Sequence, residues 1–595
     1  MADWPPLVVD QAEVVEAVGN WMATKLGAIA LEPADYERYG NALAGWRLRL
    51  SVAGHVVAVD LIVDADFPFS TPEAYWNQAP PFPNIPHVEE NGKICALPAS
   101  ISCNPLQPIG VVSTLLSHVE EVLGSGLRGE NDEDFRIEFR SYWNAVATGV
   151  NVISIVDPCE PSRAVRGWWT RKSLIVAEDK VLLRRWAANN FGKSSIANSK
   201  IIRIPFIWLP TPLLPSEYPA TEKGLAEIVS RGGDDAIRLY REALSQDDDI
   251  STILLGSDIS TGGVCLGAVS LTRRRPRYGG RGTRVSGFRT IAPDKLVLLE
   301  RGRDIVTLSA VSRADPWWVH GRDSQDDLET LLGSTVALFG CGSLGSPVAR
   351  LLAQAGVGEL VLVDPDHMAF ANIGRHALGA DSVAKPKAAA LRDRLAREFP
   401  HLKIRAWNLS WQGALAKEPD LLRISDLCIS TMGEWQEESA LNLHLLAEEG
   451  KTPTIYAWSE PHAVGGHAVM IGQGSGCLAC GLSEFGGAKF SVAAFSDSTL
   501  RREPACGAFF QPYGSSDMVR IAALCAKLAI DALQGHAGSG EHRIVASTRP
   551  DMERVGGKYT EAWIAAEAGN GAGDNQLARH WGIEANCAYC RGRGS

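Results

Sequence analysis

Ser334-Thr-Val-Ala-Leu-Phe339 runs directly into Gly340-Cys-Gly342-Ser-Leu-Gly345, and the helical pattern Ser346–Ala355 and the apolar run Glu359–Val363 follow, closing on Asp364. A β-rich run, a G-x-G-x-x-G turn, a helix and a second strand in that order open an α/β unit with a parallel sheet. Gly340, Gly342 and Gly345 permit a tight turn and a close approach of backbone to ligand, while the helix N-terminus offers free N–H groups and positive partial charge to phosphate. Asp364 follows at the distance where a carboxylate accepts ribose hydroxyls. The competing reading is a glycine turn that serves helix packing alone.

Beyond this core, Asp364-Pro-Asp366-His-Met-Ala-Phe-Ala-Asn372-Ile-Gly-Arg375 precedes Lys385-Pro-Lys387-Ala, placing polar and cationic groups where a triphosphate needs neutralising. Hydride transfer needs no such cluster, so ATP is favoured over NAD. The ordered D-x-D, N-x-x-R and K-P-K-A pieces resemble ubiquitin-activating enzymes and their bacterial sulfur-carrier-activating, ThiF-type relatives, over about residues 330–595. That resemblance implies a Rossmann-like adenylation domain in a homodimer. Asp364 then holds the ribose with Asp366 beside it, and Asn372, Arg375 and Lys387 contact the ATP phosphates. Solvated helix charges are the alternative for Arg375 and Lys387. The family usually carries a Mg2+-binding aspartate after the next strand; here Asp426–Thr431 runs into Met432-Gly433-Glu434, and Glu434 is the candidate substitute.

Cys477-Leu-Ala-Cys480 and Cys587-Ala-Tyr-Cys590 are two C-x-x-C pairs far apart in the chain. Each pair fits two adjacent corners of a tetrahedral soft-ligand site, and four thiolates with no open position indicate structural Zn2+. A redox pair, or small core residues, is the alternative. Relatives in the resembled family carry the same paired thiols after the adenylation core. A candidate nucleophile, Cys506, lies in Arg501-Arg-Glu-Pro-Ala-Cys506-Gly, where two arginines favour the reactive thiolate. In thioester-forming relatives the nucleophile lies on a loop of this region, which favours Cys506 over Cys525 in the following helical stretch. Cys341 and Cys428 read as packing residues.

A second nucleophile stands near the other end. Asp66-Phe-Pro-Phe-Ser-Thr-Pro, then Phe82-Pro-Asn-Ile-Pro-His87-Val-Glu-Glu-Asn-Gly92-Lys-Ile-Cys95-Ala-Leu, resembles the active-site segment of ubiquitin-conjugating enzymes. The resemblance covers about residues 10–150 and places Cys95 as the thioester cysteine. His87 stands where that family has an asparagine. It is open to three parts: hydrogen-bonding an oxyanion, ordering the loop, or acting as a base. A buried structural cysteine is the alternative for Cys95.

With 595 residues the chain is long enough for several domains. An α/β multidomain protein is expected. A ubiquitin-conjugating-like α+β domain takes residues 1–150, a connector 151–325, and a ThiF-like adenylation domain with its zinc site 326–595. In the first unit a helix over 10–30 precedes a hairpin over Trp46–Val63, an irregular proline-rich segment over Asp64–Ser100, and helices around Gly110–Leu123 and Asp134–Ala147. The connector mixes short strands and helices, and its tract Arg273–Arg284 reads as a solvated loop rather than a nucleic-acid-binding arm. The 45% hydrophobic and 21% charged content excludes a disordered or fibrous chain. A net charge of −11 argues against nonspecific binding to nucleic acid or an anionic membrane. The acidic, proline-bearing N-terminus lacks the features of a secretory leader, so a cytoplasmic location without a membrane span is expected.

The order of conjugating domain, connector and adenylating domain resembles the fused enzyme of bacterial type II CBASS antiviral operons. That resemblance implies ATP-dependent activation of a protein C-terminus, a thioester on Cys506, transfer to Cys95, and conjugation to a protein or small-molecule amine. The implied partner is the C-terminal tail of a cGAS-like nucleotidyltransferase. A sulfur-carrier adenylyltransferase, an NAD-dependent oxidoreductase and a non-catalytic nucleotide-binding scaffold are the other readings.

Overall fold

The structure is a computed structural model that describes residues 10–97, 101, 103–192, 196, 199–245, 250–272, 305–323, 326–448, 451–484, 486–502, 509–570 and 575–590. Cys506 and the tract Arg273–Arg284 lie outside the described residues.

In the first unit the helix Gln11–Leu26 begins where the Asp10 carboxylate accepts the Ala12 and Glu13 N–H groups, and ends at Gly27 in the left-handed conformation. An antiparallel sheet follows in the order Ile29–Ala30, Ala42–Val52, His55–Asp64, Glu73–Trp76. Its long hairpin turns at Ala53-Gly54, both with positive φ, as the alternating pattern expects. Alternation sends Leu48, Leu50, Val57, Val59 and Leu61 to a face covered by the helices Gln11–Leu26 and Pro108–Arg128, which add Met22, Leu115 and Val119. The segment Asp64–Ser100 is not wholly irregular: Glu73–Trp76 pairs with the hairpin, Val59 opposite Trp76. Pro72 sits just before that strand, where its missing N–H costs no ladder bond.

The helix expected over Asp134–Ala147 is two, Asp132–Ile137 and Phe139–Val146, broken at Glu138, which leaves helical geometry. The second keeps Tyr142 on the first unit, 6.0 Å between its ring and that of Phe82, but turns its other side to the middle of the chain. Phe139 and Trp143 join Ile207, Leu225, Ile253 and Val269, and the Trp143 indole N–H donates to the Ser309 carbonyl at 2.9 Å.

All of those partners except Leu225 belong to a mixed eight-stranded sheet ordered Ile305–Ser309, Val264–Thr272, Ile250–Asp258, Ile202–Trp208, Arg163–Trp169, Leu174–Ala177, Val152–Ser154, Val311–Arg313. The helices Glu222–Ser230 and Gly233–Ser245 bury Leu225, Ile228, Leu239 and Leu244 against it, while Lys180–Phe191 packs Leu183 and Trp186 on Ile155 and Ile175. The middle of the chain thus has its own cores.

The last unit is built on another eight-stranded sheet, ordered Lys403–Trp407, Glu359–Val363, Thr335–Phe339, Leu427–Ser430, Thr454–Ser459, Gly465–Ile471, Glu541–Ala546, Gln576–His580. The first five strands are parallel and the last three antiparallel. The helices Gly345–Ala355 and Ser515–Leu533 cover one face; Trp411–Lys417 and Trp435–Ala447 cover the other. Phe339 lies opposite both Val363 and Ser430, so Gly340, Asp364 and Thr431 leave the sheet side by side. Chain direction diverges on either side of Thr335–Phe339, and a crevice at such a switch point is where open α/β sheets bind ligands. Among the described residues no helix is long and apolar enough to cross a membrane.

Candidate active sites and metal centre

At the switch point, Gly340 has φ of 90°, and a Cβ there would lie 2.8 Å from the Thr431 carbonyl carbon. A Cβ on Gly345 would lie 1.9 Å from the Gly340 carbonyl oxygen and 2.5 Å from Thr431 Oγ1. Gly342 faces open space. Two glycines are therefore required by packing, and the third leaves its backbone uncovered. Gly345→Ala is expected to lose about 2–4 kcal/mol of stability, read from the denaturation midpoint, whereas Gly342→Ala stays within about 0.5 kcal/mol.

Asp364 is buried at the end of its strand, where its carboxylate accepts the Cys341 N–H at 2.6 Å and the Asp366 N–H at 2.8 Å. Burial still holds its carboxyl above the usual range, against the opposing pull of those N–H groups and Lys387. Lys387, at the start of the helix Lys387–Glu398, pairs with Asp366 at 2.9 Å. Asn372 accepts the Ala369 N–H at 2.9 Å within the short helix Phe370–Arg375. The Arg375 guanidinium lies 5.0 Å from the centre of the Tyr513 ring, whose hydroxyl bonds Ser343 at 2.6 Å. Asp364, Asp366 and Lys387 are thus brought together beside the glycine turn. Arg375 is tied to that turn through Tyr513.

Three residues of this neighbourhood were not singled out by the sequence. Tyr513 lies a few residues past Cys506 and belongs to no motif. His376 follows the N-x-x-R piece directly; its Nδ1 accepts the Leu378 N–H at 3.0 Å, so the proton resides on Nε2, which donates to the Cys341 carbonyl at 2.6 Å. Burial pushes this imidazole down to about 4, so it props the turn as a neutral ring. Glu438 accepts the Ser430 hydroxyl at 2.9 Å and the Gly433 N–H at 3.4 Å, bracing the Thr431–Gly433 backbone that packs on Gly340. Glu434 is exposed at the start of the same helix.

Burial pushes the Glu438 carboxyl up to about 7. An acid held above its unfolded value binds its proton more tightly in the folded chain. Its contribution is full below the unfolded value and is lost as pH rises through about 7. Glu438→Gln is expected to flatten the decline of Tm over that window, measured by thermal melts at stepped pH.

Cys506 lies outside the described residues. The strands that flank it, Arg501–Arg502 and Phe509–Phe510, pair antiparallel and are exposed. Upstream, the Glu460 carboxylate accepts the Val492 and Ala493 N–H groups at 2.6 and 2.8 Å and bonds His467 at 2.8 Å, anchoring the segment that leads there. Cys525 is buried in its helix with its thiol pushed up to about 12, as is Cys428 on its strand; Cys341 is buried too.

Cys95 is exposed. It follows a tight loop in which Val88 pairs with Ile94 and the Ile94 N–H donates to the Ala74 carbonyl of the neighbouring strand at 2.8 Å. The Cys95 N–H donates to the His87 carbonyl at 2.8 Å. His87 adopts φ of 61° and donates its own N–H to the Tyr142 hydroxyl at 2.8 Å. Its ring sits 3.1 Å from Asp134 Oδ2 and 3.7 Å from Glu138 Oε2. Of the three parts open to it, these contacts belong to ordering the loop. They tie the cysteine loop to two short helices, the first of which also bonds Pro212 and Ser260 in the middle unit through Arg136 and Glu133.

Cys477, Cys480, Cys587 and Cys590 converge, all buried, with every pair of sulfurs within 4.8 Å. The closest separations are 3.9, 3.7 and 3.7 Å. A tetrahedral ion with metal–sulfur bonds of about 2.3 Å sets its sulfurs about 3.8 Å apart, whereas a disulfide needs about 2.05 Å. The spacing fits a metal and not a disulfide.

Comparison with known proteins follows this division. Residues 22–151 match the model of prokaryotic E2 family B, and residues 319–554 match the model of the ThiF family. The chain therefore joins an N-terminal E2-like domain to a C-terminal ThiF-type, Rossmann-like domain. Among particular relatives, a Pseudomonas aeruginosa protein described as ATP-dependent ubiquitin transferase-like protein Cap2 is 28% identical over 239 residues, covering 39% of this chain and 42% of the relative. The Escherichia coli molybdopterin-synthase adenylyltransferase is 41% identical over 80 residues, covering 13% of this chain and 32% of that protein. In both cases the match spans less than half of the relative's length. The crystal structure of E. coli MccB with ATP overlays with a TM-score of 0.32 at 18% identity, covering 44% of this chain and 68% of MccB, a likeness too distant to carry an argument.

Proposed function

We propose that this protein activates the C-terminal carboxylate of another protein with ATP and passes the activated acyl group between two of its own cysteines to an amine. The carboxylate attacks the α-phosphate and pyrophosphate leaves; Cys506 attacks the acyl-adenylate, forming a thioester as AMP departs; Cys95 takes the acyl group and frees the Cys506 thiol; and an acceptor amine takes it in turn, releasing Cys95. One observation carries this reading: an exposed cysteine in an E2-like loop and a glycine turn left open at Gly342, with Asp364 bonded to it and Lys387 paired to Asp366 beside it, occur on one chain.

In this reading the bare Gly342 backbone and the N-terminus of the helix Gly345–Ala355 receive phosphate oxygens, Asp364 takes the ribose, and Lys387, Arg375 and Asn372 steady the triphosphate. Mg2+ would enter with the nucleotide, and Asp366 beside Lys387, together with Glu434, would be the carboxylates to hold it. Linking both cysteines in one chain raises the effective concentration of one thiol near the other, and exchange requires their contact.

The four-cysteine set would hold Zn2+ as a structural ion that ties the C-terminal segment to the sheet. One equivalent of zinc per chain is expected on elemental analysis, and stripping it with a chelator is expected to lower the Tm; a zinc-free preparation with an unchanged Tm contradicts the assignment.

The domain order and the likeness to the Pseudomonas aeruginosa protein favour, as the activated protein, a cGAS-like nucleotidyltransferase of a type II CBASS operon. ATP–pyrophosphate exchange that depends on the free C-terminus of that protein is the test; exchange unaffected by blocking that terminus removes this partner. The likeness to the molybdopterin-synthase enzyme favours a second reading, sulfur-carrier adenylylation, in which product formation is indifferent to Cys95.

A further inference from the structure

The geometry points to Glu89 as the catalytic base of Cys95, taking the thiol proton as the sulfur attacks an incoming thioester. The inference rests on the proposed transfer to Cys95 and adds a residue to it. The Cys95 thiol donates to Glu89 Oε1 at 3.3 Å, within reach for a nucleophile and its base. Glu89 is placed by backbone: its N–H donates to the Lys93 carbonyl at 2.8 Å, and its carbonyl accepts the Gly92 N–H at 2.9 Å. Gly92 has φ of 85°, and a Cβ there would lie 2.6 Å from the Trp76 carbonyl oxygen, so this turn needs glycine. The carboxylate is thus held over the sulfur by a closed loop while remaining open to solvent.

The surrounding groups explain why a base is needed. Although the residue is exposed, desolvation of the sulfur by the loop around it pushes the thiol up to about 11, and Glu89, by its hydrogen bond and charge, and Glu138, by charge, add to this; Lys93 opposes it but is paired with Glu73. His87 presents its carbonyl to the Cys95 N–H, and its ring is taken by Asp134 and Glu138; the Tyr142 hydroxyl is occupied by the His87 N–H. Such a thiol is chiefly protonated at neutral pH. Transfer through the free thiolate alone is therefore slow, and proton removal within the attack avoids that penalty.

In the step, the Sγ–H bond breaks and its proton passes to the Glu89 carboxylate, while the sulfur electron pair forms a bond to the thioester carbonyl carbon. Collapse of the tetrahedral intermediate breaks the donor C–S bond, and the departing thiolate takes the proton from Glu89. Nothing is oxidised or reduced, and the carboxylate is restored.

The test uses the full chain with ATP, Mg2+ and a cGAS-like nucleotidyltransferase, comparing wild type, Glu89→Gln and Glu89→Asp in a single turnover. Two rates are read: appearance of the Cys95 thioester, and alkylation of Cys95 by iodoacetamide in the free protein. Glu89→Gln is expected to slow transfer about a hundredfold while speeding alkylation, because the base is lost and a negative neighbour is removed. Glu89→Asp, which keeps a carboxylate, is expected to recover much of the transfer rate. If transfer is unchanged in Glu89→Gln, or both rates move in the same direction, Glu89 is not the base. If the wild type forms no thioester at Cys95, the transfer reading itself fails, which separates the two outcomes.

Discussion

Replacing Cys95 by alanine is expected to abolish delivery of the acyl group to an amine while leaving ATP–pyrophosphate exchange within about twofold of wild type. In the proposed function, activation and delivery use different units of the chain. Cys95 lies on a loop of the E2-like domain held by His87 and Ile94, and among the described residues none of its contacts reaches the glycine turn. The acyl group should then stall as a reductant-labile adduct at the earlier cysteine. Cys95→Ser gives a sharper result: a serine hydroxyl forms an oxygen ester that survives thiol reductants and is cleaved by hydroxide, so a stable adduct at position 95 marks the point of transfer. Sulfur-carrier adenylylation, by contrast, predicts undiminished product from Cys95→Ala.

Lys387→Ala is expected to reduce ATP–pyrophosphate exchange by about 10²–10³-fold and to eliminate every downstream adduct. Its side chain is mostly buried, with 12% exposed, and its ammonium pairs with Asp366 beside the glycine turn, where in the proposed complex it meets the triphosphate. A cation of that kind stabilises the charge that develops on departing pyrophosphate more than it stabilises bound ATP, so the loss should appear chiefly in the maximal rate. A rise in the KM for ATP with the maximal exchange rate intact would instead assign Lys387 to uniform nucleotide binding.

Much of this was legible in the sequence because it is local. Strand, glycine turn, helix and strand follow one another within some thirty residues, and each piece is set by periodicity or by backbone freedom at glycine. The paired thiols were legible for a similar reason, since a C-x-x-C spacing fixes two ligand positions by itself. Contacts across the chain were hidden. Gly345 is required by Thr431, Arg375 is backed by Tyr513, and His87 is held by Asp134 and Glu138; in each case the partners lie tens of residues or more apart. The strand Glu73–Trp76 escaped notice because four residues among prolines show no useful period. Phe139 and Trp143 carry a helical pattern that says nothing of which sheet they serve, and the structure gives them to the middle unit. That unit's strands pair out of chain order, Val311–Arg313 lying parallel to Val152–Ser154, a relation that only tertiary packing decides.

The central claim is that one chain stores the energy of ATP cleavage as a thioester and hands it from one of its cysteines to another. Mass spectrometry of the full chain, after incubation with ATP, Mg2+ and a cGAS-like nucleotidyltransferase under non-reducing conditions, tests it most directly. The account predicts an adduct of the nucleotidyltransferase's mass that is lost on reduction, maps to Cys506 in Cys95→Ala, and is absent altogether in Cys506→Ala. An adduct that resists reductant, or one that persists unchanged in both variants, contradicts it.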